Sequence, residues 1–265
     1  MTVATMKIAV CIKQVVTREW QLRVNDQKTW IRDQDASFEL NEPDAYALEE
    51  ALRLKEKHGG EVVVCCAGPA RATQVIREAL ARGADRAIHV EDDGLATADA
   101  NAVADALAGA IKTEQVDLVL TGLQSDDQGF GQVGVVLAEK LGIPHATIIM
   151  EVQVGASPSG GGTGTLRVKR ELEGGWFQWV GLPMPALLTI QSGINQLRYA
   201  TLKGIMAAKK KEIKKGTPAT PVIASQRITS LYFPEKGKKT QMLPGSPAEA
   251  AKELVKRLRE EARAL

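Results

Sequence analysis

Four short apolar runs, each followed by a stretch with helical periodicity, constrain this chain more than any other feature. They are KIAVCIK (7–13), EVVVCCAG (61–68), RAIHV (86–90) and VDLVLTG (116–122). EVVVCCAG is almost continuously apolar, the pattern of a strand covered on both faces. After the first run, EPDAYALEEALRLKEK (42–57) sets Ala45, Leu48, Ala51, Leu52 and Leu54 largely on one helical face. Asn41 stands at the N-cap position, Pro43 falls in the first turn, and Gly59-Gly60 supplies the stop. Further helices are predicted from Pro69 through Leu80, over 97–113 and over 132–141, the last ending near Gly142 and Pro144. Strands alternating with helices at this spacing predict βαβ units and a parallel sheet over roughly 5–150. Right-handed crossovers make that a doubly wound α/β fold, whose ligands bind beyond the carboxyl ends of the strands.

The second half changes character. ATIIMEVQV (146–154) is strand-like, and ASPSGGGTG (156–164) reads as a small-residue hairpin tip. TLRVKREL and GWFQWVGL flank Glu173-Gly174-Gly175, which predicts a β-hairpin, and PALLTIQ (185–191) predicts another strand. We expect an antiparallel extension reaching about residue 192, so that residues 1–195 form the α/β domain. From 196 to 265 the pattern is that of an arm. KKKEIKK (209–215) and GTPATPV (216–222) are poor in core residues, and SPAEAAKELVKRLREEARAL (246–265) is an amphipathic helix capped by Ser246. An arm of that kind must pack on something, and a partner subunit is expected.

Composition removes several function classes. The net charge of +2 is too small to argue for nucleic acid, and aromatic residues at 4% disfavour a stacking platform for single strands. No apolar run approaches the ~20 residues that span a bilayer. The opening MTVATMKIAV lacks the parts of a secretory signal. Cys11, Cys65 and Cys66 lie in apolar strand-like segments, as expected of reduced core residues in a cytoplasmic protein. His58, His89 and His145 are scattered and not at metal-ligand spacing.

The strongest local feature is TGLQSDDQGFGQVG (121–134), which follows an apolar strand and opens a helix. Gly122, Gly129, Gly131 and Gly134 permit tight turns and close backbone approach. Free amides at the helix start suit a phosphate, while Asp126 and Asp127 suit ribose hydroxyls or a cap. An ordinary glycine-rich β–α turn reads the same way: Gly129, Gly131 and Gly134 have GxGxxG spacing, but the segment is read neither as a dinucleotide fingerprint nor as a GxxxxGK[ST] P-loop. Two other strand ends would face the same crevice, Cys11 to Lys13, with the loop Gln14–Glu19 after it, and Ala67-Gly68-Pro69, with Asn41 to Asp44 opening a helix beside them. Together they are able to surround an adenine nucleotide. No Ser-His-Asp set, no cysteine–histidine pair and no metal cluster is evident. Glu171 and Glu173 share a strand face without an evident pocket.

These segments together resemble the beta-subunit family of electron transfer flavoproteins over almost the whole chain. The hairpin VKRELEGGWFQWVGLPMPALLT (168–189) is similar to the family's signature at Arg170, Glu173-Gly174-Gly175, Gln178, Pro185 and Thr189. RYATLKGIMAAKKKEI (198–213) resembles its recognition segment, with Lys203 in place of the usual proline.

The resemblance implies an α/β domain of the adenine nucleotide alpha-hydrolase-like, Rossmann-like type. Its C-terminal arm would embrace an alpha subunit, and one FAD would be shared with that subunit. It further implies an adenine nucleotide held in this chain, either AMP or, in electron-bifurcating members that oxidise NADH, a second FAD. Carried over by position, nucleotide contacts fall on Cys11, Asn41, Glu42, Pro43, Asp44, Ala67 and Gly122. They continue through Gln124, Ser125, Asp126, Asp127, Gly129, Phe130, Gly131, Gln132 and Val133. Docking contacts fall on Leu202 and Tyr199, with Glu171 acting during transfer. The phosphate loop QSDDQGFGQVG (124–134) mixes the double aspartate of ordinary members with the QVG ending of bifurcating ones, and Arg18 stands where many members carry an aromatic. AMP and second FAD therefore both stay open. The resemblance implies an electron carrier between acyl-CoA dehydrogenases and a membrane quinone oxidoreductase, not a classical enzyme. A stand-alone nucleotide-binding module of the same fold is the remaining alternative, against which the hairpin and the arm argue.

Overall fold

The four apolar runs pair in parallel, because each is followed by a helix that carries the chain back across the sheet before the next strand begins. A computed structural model describes residues 5–155, 164–234 and 240–264. It contains β1 (Met6–Cys11), β2 (Gln14–Val16), β3 (Phe38–Leu40), α1 (Glu42–His58), β4 (Gly60–Gly68), α2 (Thr73–Arg82), β5 (Arg86–Glu91) and α3 (Ala100–Ile111). β6 (Leu118–Gly122), α4 (Val133–Leu141), β7 (His145–Gly155), β8 (Thr165–Glu171), β9 (Phe177–Pro183), β10 (Ala186–Ile190), α5 (Leu202–Ala208), β11 (Ile213–Gly216) and α6 (Pro247–Glu260) follow.

Nine strands form one sheet in the order β11-β5-β4-β1-β6-β10-β7-β8-β9, and β2 and β3 pair separately as an antiparallel ribbon. β1 is parallel to both β4 and β6. The chain first winds outward through β4 and β5, then returns to β6 on the other side of β1. That reversal places a topological switch point, and so a crevice, beyond the carboxyl end of β1. Alternation along the strands covers both faces. Ile8, Val10, Val62, Val64, Leu118 and Leu120 pack with Leu48 of α1 and Ile76 and Leu80 of α2. Ala9, Val63, Cys65 and Val119 pack on the other face with Leu107 of α3 and Leu137 of α4. The three cysteines are free and buried. The fold is thus α/β and Rossmann-like, as the alternating pattern predicts.

Three departures have physical causes. β10 does not belong to the antiparallel extension. It is fully buried and lies between β6 and β7, parallel to both, so only β8 and β9 extend the sheet antiparallel. The lysine-rich run does not form a free arm at 213–216. There β11 adds a parallel edge strand beside β5, where outward lysines protect an open edge. Gln14–Val16, which reads as loop, pairs with Phe38–Leu40 over only three residues. The hairpin tip expected at 156–164 falls almost entirely outside the described residues.

Residues 1–231 and 232–265 are two separate compact units. In the second, Ser246 and Glu249 form a reciprocal capping box at the start of α6, as the Ser-x-x-Glu spacing predicts. Among the described residues no helix is long and apolar enough to cross a membrane.

Candidate functional site

The crevice at the switch point holds a cavity of about 110 Å³. Its floor is the strand ends: Cys11 closing β1 and Lys13 just past it, Ala67 in β4, and Thr121 and Gly122 closing β6. Asp44, in the first turn of α1, ties two of these ends together. One carboxylate oxygen accepts from the Gly122 amide at 2.9 Å, the other from the Lys13 amide at 2.8 Å. Burial pushes the Asp44 carboxyl up to about 7, against the lowering effect of those two amides. The contact also explains Gly122. A Cβ there would collide with the Asp44 carboxylate and stand 2.7 Å from the Pro43 Cβ. Cys11 is buried, and its thiol is pushed well above its usual range by burial, which leaves it unreactive at neutral pH.

The glycine-rich segment forms the rim. Asn41 occupies the N-cap position of α1 but makes no side-chain cap bond. Its amide instead staples the rim, donating to the Gln124 carbonyl at 3.1 Å and accepting from the Asp126 amide at 2.9 Å. Asp126 accepts in turn from the Glu42 amide and pairs with Arg18, which also pairs with Glu42. Lys13 Nζ lies 2.6 Å from Asp127 Oδ1, 3.2 Å from Gln128 Oε1 and 3.4 Å from Ser125 Oγ. Burial opposes the charge on Asp127, but the Lys13 ammonium holds its carboxyl below the usual range. Gly131 has φ +63°, and a Cβ there would stand 3.6 Å from the Leu123 carbonyl oxygen, its nearest neighbour, so backbone shape rather than space demands glycine. The rim then delivers Gln132, Val133 and Gly134 to the start of α4.

Of the residues singled out from sequence, Cys11, Asn41, Asp44, Ala67, Gly122, Gln124, Ser125, Phe130, Gly131, Gln132 and Val133 line this cavity. Glu42, Pro43, Asp126, Asp127 and Gly129 stand behind or beside it. Asp127 faces an adjoining recess with Trp30, Phe38 and Arg71, which shares Lys13 and Ala67 with the main cavity. The remaining wall has no counterpart among those residues. Leu95, Ala96, Ala98, Ala100, Val103 and Leu107, on and before α3, give the crevice an apolar side of small residues. Their only trace in the sequence is an alanine-rich run, which carries no chemistry of its own. A slot with apolar walls, backbone amides at one end and one ammonium group suits a planar base joined to a phosphate.

A second feature lies on the α2 side of the sheet. Tyr199 and Leu202 are 89% and 77% exposed, and Ile205 and Met206 are also exposed. Tyr199 precedes the short helix that carries the other three, and that helix is held firmly. A Cβ on Gly204 would collide with the Ala81 carbonyl oxygen, so α5 lies directly on the end of α2. Arg77 donates to the Ala208 and Lys211 carbonyls at the end of α5, and Lys211 donates back to the Leu80 and Ala84 carbonyls at the end of α2. Arg198 anchors the approach through Glu49 and Glu56 of α1. Glu171 is elsewhere, at the end of β8, where it accepts from Gln191 at 3.0 Å.

Fold and crevice together define a Rossmann-like α/β protein with a cavity at its switch point. A sequence profile of the electron transfer flavoprotein domain matches residues 29–221. The chain is 38% identical to the electron transfer flavoprotein subunit beta of Methylophilus methylotrophus, over 96% of this chain and 98% of that one. It is 34% identical to the Bacillus subtilis subunit of the same name, covering 98% of this chain and 100% of the relative. The Syntrophomonas wolfei subunit beta is 40% identical over 86% of this chain and 85% of its own length. The chain belongs to the electron transfer flavoprotein family and is of its beta-subunit type.

Proposed function

We propose that this chain pairs with an alpha subunit to form an electron carrier that accepts electrons from acyl-CoA dehydrogenases and delivers them to a membrane quinone oxidoreductase. FAD, shared with the alpha subunit, supplies the electron chemistry when bound. This chain supplies position and recognition. Its crevice holds AMP, with the base against the Leu95–Leu107 wall and the phosphate toward the amides of 124–133. The observation that carries this reading is the cavity itself, at the switch point of a parallel sheet and rimmed by a glycine turn that opens α4. The three free, buried thiols fit a reducing cytoplasm. The adjoining recess past Lys13 and Ala67 favours a second reading, in which the same crevice extends to take a whole second FAD and the complex bifurcates electrons.

The purified heterodimer, heat-denatured and analysed for released nucleotides, is expected to yield one AMP and one FAD. Two FAD and no AMP would establish the second reading. Release of FAD alone, at one per heterodimer, would remove the crevice assignment. Gly131→Val is expected to cut AMP occupancy severalfold, because a β-branched residue resists positive φ.

Leu202 is proposed as the anchor for the dehydrogenase, with Tyr199 beside it and Glu171 acting at the flavin side during transfer. One leucine seated in a partner pocket contributes about 1.5–3 kcal/mol, enough to dominate a transient interface.

A further inference from the structure

Among the described residues, Lys13 is the one cationic side chain lining the cavity. Its ammonium group has three N–H donors, and the three acceptors within reach, on Asp127, Gln128 and Ser125, all belong to the glycine-rich rim. Asp127 is the charged member of that set. Both side chains of the pair remain about one-third exposed, 37% for Lys13 and 31% for Asp127, so water and small ions reach the bond. The Gln128 amide donates to the same Asp127 oxygen at 2.7 Å, which leaves the carboxylate a hydrogen bond if the lysine moves away.

We infer that Lys13 is the phosphate-recognising cation of the crevice and that Asp127 is its built-in competitor. The inference rests on the nucleotide reading above and deepens it. A phosphate on the rim amides comes within reach of an ammonium group already on that rim. As a dianion it binds the ammonium group more strongly than one carboxylate does. Lys13 then passes from Asp127 to the phosphate, and Asp127 turns to the Gln128 amide and solvent. The pair therefore makes the crevice select a 5′-phosphorylated nucleoside over the bare nucleoside. It also lowers affinity for every ligand whose phosphate must displace Asp127. A lysine that merely clasped the rim to β1 would act differently, since breaking the clasp from either end would loosen the site for all ligands.

Isothermal titration of AMP and of adenosine into the full chain in its purified complex, with co-purified nucleotide first exchanged out, separates these roles. Lys13→Met is expected to weaken AMP about tenfold or more, the scale of one lost charged hydrogen bond, and to leave adenosine unchanged. Lys13→Arg should keep the preference for AMP. Asp127→Asn should tighten AMP severalfold, opposite in sign to Lys13→Met, although the two residues are partners. If Asp127→Asn left AMP affinity unchanged or lowered it, or if Lys13→Met weakened adenosine as much as AMP, the inference would fail while the crevice assignment stood. Binding of neither ligand by the unsubstituted complex would remove the nucleotide reading and this inference with it.

Discussion

At the scale of single residues the crevice is built around one carboxylate. Asp44 is buried, yet it joins the ends of β1 and β6 through two amides. Its folded value of about 7 lies above the ordinary carboxylate value of 3.8. A raised acid favours the folded state in its protonated form, so its contribution is complete below about pH 4 and is lost as pH rises through about 7. Asp44→Asn cannot ionise, and its denaturation midpoint should lack that component of the pH slope. Urea titrations at pH 5 and pH 8 check this. The wild type should lose stability relative to the variant on the order of a few kcal/mol across the interval, and parallel curves would show that Asp44 keeps its charge throughout. Asp44 was legible in the sequence as a member of the crevice, because a helix opening beside a strand end is a common place for a ligand. Its bond to Gly122 was not, because no local pattern spans the 78 residues between them. Asn41 shows the same limit. Its type and place suit an N-cap, but the nearby rim offers its amide both an acceptor and a donor, and tertiary contact overrides the local preference.

Among the elements, α5 shows how a seven-residue helix becomes a fixed platform. Isolated helices of that length are not stable, so packing must hold it. Gly204 lets it lie on α2, and Arg77 and Lys211 each satisfy the orphan carbonyls at the end of the other's helix. Two substitutions should therefore behave in opposite ways. Leu202→Ala removes an exposed side chain and should weaken apparent affinity for the dehydrogenase with melting temperature and flavin content nearly unchanged. Gly204→Val drives a side chain into the Ala81 carbonyl, so it should lower the melting temperature and weaken docking together. Steady-state affinity and thermal melts on both variants decide the matter; a Leu202→Ala variant that lost stability or flavin while transferring electrons normally would end the anchor assignment. In the sequence, the alternation through β6 marked the parallel core correctly, because strands buried on both faces have a strong apolar signature. β10 has the same signature, but the hairpin before it suggested an antiparallel continuation, and only the sheet order reveals its insertion between β6 and β7. β11 was hidden by its lysines, which serve an edge strand well but resemble a solvated arm.

For the whole molecule, the described surface is incompletely covered. On the outer hairpin, Trp176 is 74% exposed, and Phe177 and Trp179 are exposed as well. Arg167 lies 4.4 Å from the Trp179 ring and Lys169 4.1 Å from the Phe177 ring, so cations shelter part of this face. In the second unit, Tyr232, Phe233 and Met242 are exposed, and α6 buries none of its residues despite its amphipathic pattern. Apolar surface of this extent calls for a partner. A beta subunit has one available, and binding to the folded form stabilises it by mass action. The chain expressed alone is therefore expected to self-associate and to retain no stoichiometric FAD. Co-expression with the alpha subunit should give a monodisperse one-to-one complex with a higher melting temperature. Size-exclusion chromatography with light scattering, together with flavin absorbance of each peak, tests both statements. A monodisperse single chain with a full complement of FAD would mean that the exposed aromatic residues and α6 are not subunit contacts, and that the flavin needs no second subunit.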